Sequence, residues 1–397
     1  MREHWDLDGS VTFLNHGSFG ASPRVVLDHQ TNLRRTMERE PVRFFADELE
    51  DLARSARAEL GRFVGAHPDD LVFVPNATTG VNTVLRSLSF RPGDEILITD
   101  HGYNACANAV RFVAERAAAE VVTVAVPFPL DDENLIVERI LERVGSRTRL
   151  AVIDHITSPT ALVFPIHRIV AALADLGVDT LVDGAHAPGM IDLDVDTIGA
   201  AYYTGNCHKW MCAPKGAAFL QVRKDRQDLI VPTTISHGAN SPRADVSRFR
   251  LLFDWTGTHD PTPYLSIPIA IATIDSMLDG GWPAVRARNH DLALRARDLL
   301  SDALRIPTPA PDALLGSMAS LPLANEPRPF SPRQPQPLRD ELMRGYRIEA
   351  PVPSWPARPH RLLRVSAHLY NTLDQYQNLA DALDAIGRDR APAPALD

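Results

Sequence analysis

The sequence predicts an α/β fold: a mainly parallel central sheet, then a smaller α+β C-terminal domain. Three observations predict it. Between residues 71 and 222, short apolar runs of strand length alternate with helix-like segments, the pattern of a parallel sheet covered on both faces. After Trp255 the rhythm stops, and helical stretches and a proline-dense segment replace it. At 397 residues the chain exceeds what one small core organises, so two packed domains are expected.

Each element has a local reason. Val11 to Leu14 is a short apolar run, broken by the glycine turn Gly17 to Gly20. Pro23 to Val64 is charge-rich and amphipathic, with Glu and Arg three or four apart, and reads as helix. Strands are expected over Leu71–Val74, Glu95–Thr99, Val121–Val126, Leu150–Ile153, Thr180–Val182 and Ala217–Val222. Helices are expected between them, over Thr79–Ser89, Ala105–Ala118, Asp132–Val144 and Ile166–Leu176. Further on, Pro268–Leu278 and Ala284–Leu304 read as helices, and residues 305–337 as irregular structure with one or two edge strands. Residues 338–346 read as helix, Leu362–Ser366 as a strand and Leu373–Ile386 as a closing helix. The expected division is a large domain over 25–267 and a small one from 1–24 plus 268–397. The tail Ala391–Asp397 is expected to be mobile.

Composition narrows the function classes. Hydrophobic residues at 45% and charged residues at 23% match soluble globular chains, which excludes a disordered or fibrous protein. A net charge of −9 argues against a nucleic-acid partner. Three cysteines are too few for a disulfide scaffold and suit a reducing compartment. No apolar stretch approaches the ~18 residues of a membrane helix, and Met1 to Asp6 show no signal-peptide core. The expectation is a cytoplasmic protein of enzyme size with no membrane partner. Of its 41 basic residues only Lys209, Lys215 and Lys224 are lysines, so an amine nucleophile has three candidates.

The strongest chemical signal is Asp183, in the run Val182 to Gly189, followed 26 residues later by Lys209. A carboxylate at the end of a buried strand is costly unless a cation sits beside it. A pyridinium nitrogen is one such cation, and an aspartate there keeps the ring protonated as an electron acceptor. Lys209 precedes an apolar run, where its amine can reach the same ring. Asn76 to Gly80 lies between a strand and a helix, as an anion site or a plain helix cap. Tyr103, after another strand, is suited either to cover a flat cofactor or to fill core. Arg364 offers two parallel hydrogen bonds to a carboxylate. Cys207, His208 and Cys212 do not have the spacing of a zinc site, so no metal is expected.

These motifs together resemble the class V aminotransferase family of pyridoxal-phosphate enzymes, and within it the isopenicillin N epimerase-like group. The resemblance runs from Leu14–Gly20 through Val182–Gly189, Gly205–Gly216 and Trp255–Thr258 to Arg364–Asn371, nearly the whole chain in order. It implies the fold type I of pyridoxal-phosphate-dependent transferases, with pyridoxal 5'-phosphate as cofactor. It also implies that Lys209 is the Schiff-base lysine and Asp183 the partner of the pyridine nitrogen. His186 would contact the ring hydroxyl, and Ala77, Thr78, Asn206 and His208 would form the phosphate cup, with Ser158 a further cofactor contact. Tyr103 is near the ring-stacking position, with His101 as its rival. Gly257 and Thr258 match a loop that reaches the neighbouring subunit's cofactor, which implies a homodimer. Arg364 matches the carboxylate-binding arginine, with Asn15 and His16 near an amino-acid substrate.

Two departures bear on the reaction. Where epimerases carry a Gln-like residue at position 186 and Ser-Gly before His-Lys, this chain has His186 and Asn206-Cys207. These are closer to a broader group that includes carbon–sulfur lyases. The loop Glu349–Trp355 contains no cysteine, which argues against a desulfurase with a persulfide nucleophile. The expected activity is inversion at the α-carbon of an amino acid, with β-elimination the alternative and transamination third. An inactive homologue with a binding role is disfavoured because it would need neither Lys209 nor Asp183.

Overall fold

The computed structural model describes residues 1–329 and 331–390, so the expected mobile tail 391–397 lies outside them. Seven strands form one sheet: β1 (Leu71–Val74), β2 (Glu95–Thr99), β3 (Glu120–Val124), β4 (Thr148–Asp154), β5 (Asp179–Asp183), β6 (Tyr202–Asn206) and β7 (Ala218–Val222). Their order across the sheet is β1-β7-β6-β5-β4-β2-β3. β7 runs antiparallel to both of its neighbours, and every other pair is parallel. The sheet is therefore mainly parallel, as expected.

Successive side chains of a strand point to opposite faces, and both faces are buried in the inner strands, whereas the edge strand β3 is partly exposed. Ile96 and Ile98 of β2 join one apolar cluster while Leu97 joins the other. Helices supply the cover. In Ile166–Asp175 the buried residues are Ile166, Ile169, Val170 and Leu173, one stripe at helical spacing. Two-sided burial explains why these strands read as continuous apolar runs.

β6 has no counterpart among the expected strands. Gly205 and Asn206 are poor strand formers, so the segment reads as part of the loop before Lys209. Its five residues are nonetheless buried, and it supplies the ladder between β5 and β7.

Beyond the sheet, β8 (Met318–Leu323) pairs antiparallel with β9 (Arg361–Ser366), against the helix Gly281–Leu304, which in turn packs on the helix Leu373–Arg390. The proline-dense stretch thus yields one strand. Thr12–Phe13 pairs in parallel with Ile348–Glu349, which ties the amino-terminal segment to this C-terminal region. Among the described residues, no helix is long and apolar enough to cross a membrane.

Candidate active site

β4, β5 and β6 end on the same side of the sheet, and a cavity of about 380 Å³ opens there. Crevices at the carboxyl ends of parallel strands are the usual ligand sites of such sheets.

Lys209 enters this cavity from the turn after β6. The N–H groups of Cys207 and His208 both donate to the Ala217 carbonyl, and the Cys212 N–H closes the turn onto the Lys209 carbonyl at 3.0 Å. Gly20, at φ +71°, lies so close that a Cβ there would fall 2.1 Å from the His208 oxygen. Only glycine permits that approach. The Lys209 Nζ meets His186 Nε2 at 3.1 Å. Burial, aided by the Arg364 charge, brings the Lys209 ammonium down to about 8. A buried amine of this kind is readily available as a base or nucleophile.

Two acids face the lysine. Asp183 ends β5, with Oδ2 accepting from the Cys106 thiol at 3.1 Å and Oδ1 from the Ala185 N–H at 3.0 Å. Asp154 ends β4 and accepts the Tyr103 N–H at 3.2 Å. Burial raises both carboxyls above the usual range, and Asp154 is raised further by the Asp183 charge. Neither Asp154 nor Cys106 was among the expected site residues. The signal for Asp154 was present, since it also follows an apolar strand. Nothing in the sequence linked Cys106 to Asp183.

The cavity wall also holds the start of a helix. Asn76 caps the helix Ala77–Ser87 by accepting the Thr79 N–H at 2.8 Å, and Asn206 accepts the Ala77 N–H at 2.8 Å. Thr78, the second residue of that helix, has no carbonyl four residues back within the helix for its N–H to meet. His208 spends Nδ1 on the Ala217 carbonyl, and burial holds the ring near about 4, hence neutral. Ala77, Thr78, Asn206 and His208 all line the cavity, as do Ser158, His186 and Tyr103.

Arg364, on β9, reaches the cavity edge through Ser158 and Ser18, which line it. Its guanidinium donates to the Ser158 carbonyl and hydroxyl at 2.7 and 3.1 Å, to Ser18 at 2.9 Å and to Asn15 at 3.4 Å. These acceptors are all neutral, and burial lowers the Arg364 pKa to about 10. A buried guanidinium with only neutral partners favours an incoming carboxylate.

Four expectations need correcting or placing. His16 does not lie beside the cavity. It is fully buried behind Lys209, with Nε2 at 3.0 Å from the Lys209 carbonyl and Nδ1 at 2.7 Å from the Tyr370 hydroxyl. Asn15 also stands back, holding Arg364 and Glu349. His101 is no ring-stacking rival: it is buried, bonded to Thr160 and Val126, and packed on Trp355, whereas Tyr103 lines the cavity. Thr258 is exposed and borders a second cavity beside the first, not the Lys209 cavity of its own chain.

Among the described residues, His16, Cys212 and His368 are near enough to suggest a metal site. Both His16 nitrogens are already committed, and the two imidazoles stack at 4.0 Å instead of converging on a point. The group is an aromatic core cluster, not a metal centre.

The donor set fits pyridoxal phosphate. Buried carboxyls suit its ring nitrogen, the helix N-terminus and His208 suit its phosphate, and the Lys209 amine suits its aldehyde. The comparisons agree. The aminotransferase class-V family model matches residues 21–311. The chain belongs to the class V aminotransferase family. Isopenicillin N epimerase of Amycolatopsis lactamdurans is 36% identical to it over 98% of both chains. A probable chloroplastic L-cysteine desulfhydrase of Arabidopsis thaliana is 30% identical over 96% of this chain and 84% of its own. Among solved structures, a C-DES mutant with glycine covalently linked to its pyridoxal-phosphate cofactor superposes with a TM-score of 0.78 at 22% identity, covering 96% of this chain and 98% of that one. Cysteine desulfurase CsdA of Escherichia coli gives a TM-score of 0.76 at 18% identity, covering 98% and 97%. The fold is that of the type I pyridoxal-phosphate enzymes, and pyridoxal 5'-phosphate is the class V cofactor.

Proposed function

We propose that this class V enzyme inverts the α-carbon of an amino acid or of a metabolite that contains one. The observation that carries the reading is a buried Lys209 amine, its pKa lowered to about 8, in one cavity with the Asp183 carboxyl, beside the Arg364 guanidinium. The cofactor supplies an electron-accepting ring for the pair left when the α C–H bond breaks. Asp183 favours the positive form of the ring nitrogen. His186 would meet the ring hydroxyl, and Ala77, Thr78, Asn206 and His208 would hold the phosphate. Arg364 fixes the substrate carboxylate and so the face presented to Lys209, which takes the α-proton.

Inversion also needs a proton delivered to the other face. With His16 and His101 buried and engaged, Tyr103 is the side chain left to deliver it. The similarity to isopenicillin N epimerase supports this outcome.

β-Elimination is the second reading. It needs only Lys209 and a leaving group, and the engagement of His16 and His101 in the core supports it, as does the similarity to desulfhydrases. Incubation of L-amino acids in deuterated water separates the two. Deuterium in both L and D products supports inversion. Keto acid with free thiol from sulfur substrates replaces it with elimination. Deuterium confined to the L form, with no product, removes both for the substrates tried.

We also propose a cytoplasmic homodimer in which Gly257 and Thr258 meet the partner's cofactor, supported by their exposed loop and by Phe19, 74% exposed at the cavity rim. The large domain would span 25–267 and the small one 1–24 plus 268–397. A monomeric mass by sedimentation would remove the dimer.

A further inference from the structure

His186 bonds through both ring nitrogens. The Trp210 indole Nε1 lies 3.3 Å from His186 Nδ1, and His186 Nε2 lies 3.1 Å from Lys209 Nζ. An indole N–H only donates, so Nδ1 must be the acceptor. A neutral imidazole then carries its proton on Nε2, and that N–H points at Lys209. The amine must accept it, which only the unprotonated amine can do. An imidazolium would carry hydrogen on both nitrogens and is excluded by the indole contact. One donor thus sets the state of the two groups after it.

Trp210 is well placed to hold this direction. It is 1% exposed, between His16 at 4.9 Å and His368 at 6.1 Å, in a cluster with Trp5 and Tyr370. Gly189, at φ +85°, lets the neighbouring turn approach so closely that a Cβ there would fall 2.7 Å from the Trp210 carbonyl carbon. These contacts leave the indole little freedom to turn its N–H elsewhere.

We propose that Trp210 is a positioning residue that locks His186 as the Nε2–H tautomer and thereby holds the Lys209 amine unprotonated. The amino-terminal and C-terminal segments enter the chemistry through this cluster, although neither His16 nor His368 touches the cavity. The proposal rests on Lys209 as the cofactor-binding amine. Burial lowers both groups in the same sense: Lys209 to about 8, and His186 well below its ordinary value. The charges that bear on Lys209 come first from Arg364 and then from Asp183. Neither bonds His186, so the indole supplies the direction that charge alone does not.

The test is a double-mutant cycle on the full-length protein freed of cofactor, read as the rate of capture of added pyridoxal phosphate at neutral pH. Trp210→Phe keeps an aromatic ring and removes the donor, and should slow capture by about five- to tenfold, the worth of one hydrogen bond. In a His186→Gln background the amide brings its own N–H and needs no tautomer, so adding Trp210→Phe should change capture less than twofold. Equal slowing in both backgrounds would make Trp210 a packing residue and overturn the proposal, as would no slowing in the first. Should Trp210→Phe fail to fold, nitrogen-15 spectra of histidine-labelled wild type decide. The signals lost in His186→Gln should show an unprotonated Nδ1 and a protonated Nε2, and the reverse assignment overturns the lock. Capture that is unchanged in Lys209→Ala would remove the lysine assignment while leaving the tautomer result standing.

Discussion

Asp154 and Asp183 sit directly opposite one another at the ends of the neighbouring parallel strands β4 and β5, so two buried carboxyls share one wall of the cavity. Two adjacent buried charges repel, and one carboxyl gives way. Asp183 takes two donors, Cys106 and the Ala185 N–H, whereas Asp154 takes only the Tyr103 N–H and is pushed well above the carboxylate range. On the proposed reading, Asp183 with its two donors would be the carboxyl that ionises against a ring cation, and Asp154, raised further by the Asp183 charge, would be the one held nearer its neutral form.

This asymmetry predicts unequal variants. Asp183→Asn removes the ionised partner and should cost on the order of 10²–10³ in rate, with a changed cofactor spectrum. Asp154→Asn replaces a neutral acid with a neutral amide that can still accept the Tyr103 N–H, so rate should fall less than about tenfold. Turnover and absorbance of both variants check this. Equal losses would mean that the pair acts as one shared acid.

Arg364→Ala should raise KM through about 2–5 kcal/mol of lost carboxylate binding, the range for truncating one side of a buried charge pair. The cofactor spectrum should stay close to wild type, because the partners of Arg364 are Ser158, Ser18 and Asn15 and not the acids at the strand ends. Loss of cofactor along with substrate would assign Arg364 to the framework.

How much of this was legible in the sequence depended on the range of the interaction. Asp183 and Lys209 were readable because strand periodicity and a short list of lysines isolate them. Asp154 carried the same local signature, one residue past an apolar run, and was overlooked for want of a matching lysine. β6 was hidden because its glycine and asparagine are tolerated only where two neighbours complete the ladder, a tertiary fact. The choice between His101 and Tyr103 turns on where Thr160 and Trp355 lie, and the burial of His16 on Tyr370, 354 residues away. Local pattern finds the strand-end chemistry. It does not say which polar groups the core has already engaged.

Those engaged histidines make stability fall in mild acid. Burial holds His16 and His155 near about 3 and His208 near about 4, all below the ordinary 6.5 of an unfolded chain. The unfolded state then binds more protons as pH falls, so the stability is complete above about 6.5 and is lost progressively towards 4 and 3. Each fully buried histidine should cost about 2 kcal/mol at pH 5 relative to neutrality. His155 is outside the cavity and bonds the Tyr203 hydroxyl at 2.9 Å, so it isolates the effect. Denaturant unfolding of His155→Gln should show a pH 7-to-5 loss smaller by about that amount, and an unchanged slope would mean that His155 is not held neutral.

A Tyr103 variant separates the two proposed reactions. It precedes the helix Asn104–Ala117, its N–H is spent on Asp154, and its phenol, near enough to influence Arg364, is 45% exposed at the cavity. Lys209 alone can remove the α-proton and return it to the face it came from. Delivery to the opposite face needs a second proton source, and Tyr103→Phe removes the hydroxyl while keeping the ring. If the enzyme inverts its substrate, this variant should still wash solvent deuterium into the L-amino acid at near the wild-type rate, while formation of the D product falls by about 10²–10⁴, the usual contribution of a positioned acid. If it eliminates, keto-acid release should survive, since Lys209 does the work from one side. A variant that inverts as fast as wild type would remove Tyr103 as the second-face donor and leave an ordered water in its place.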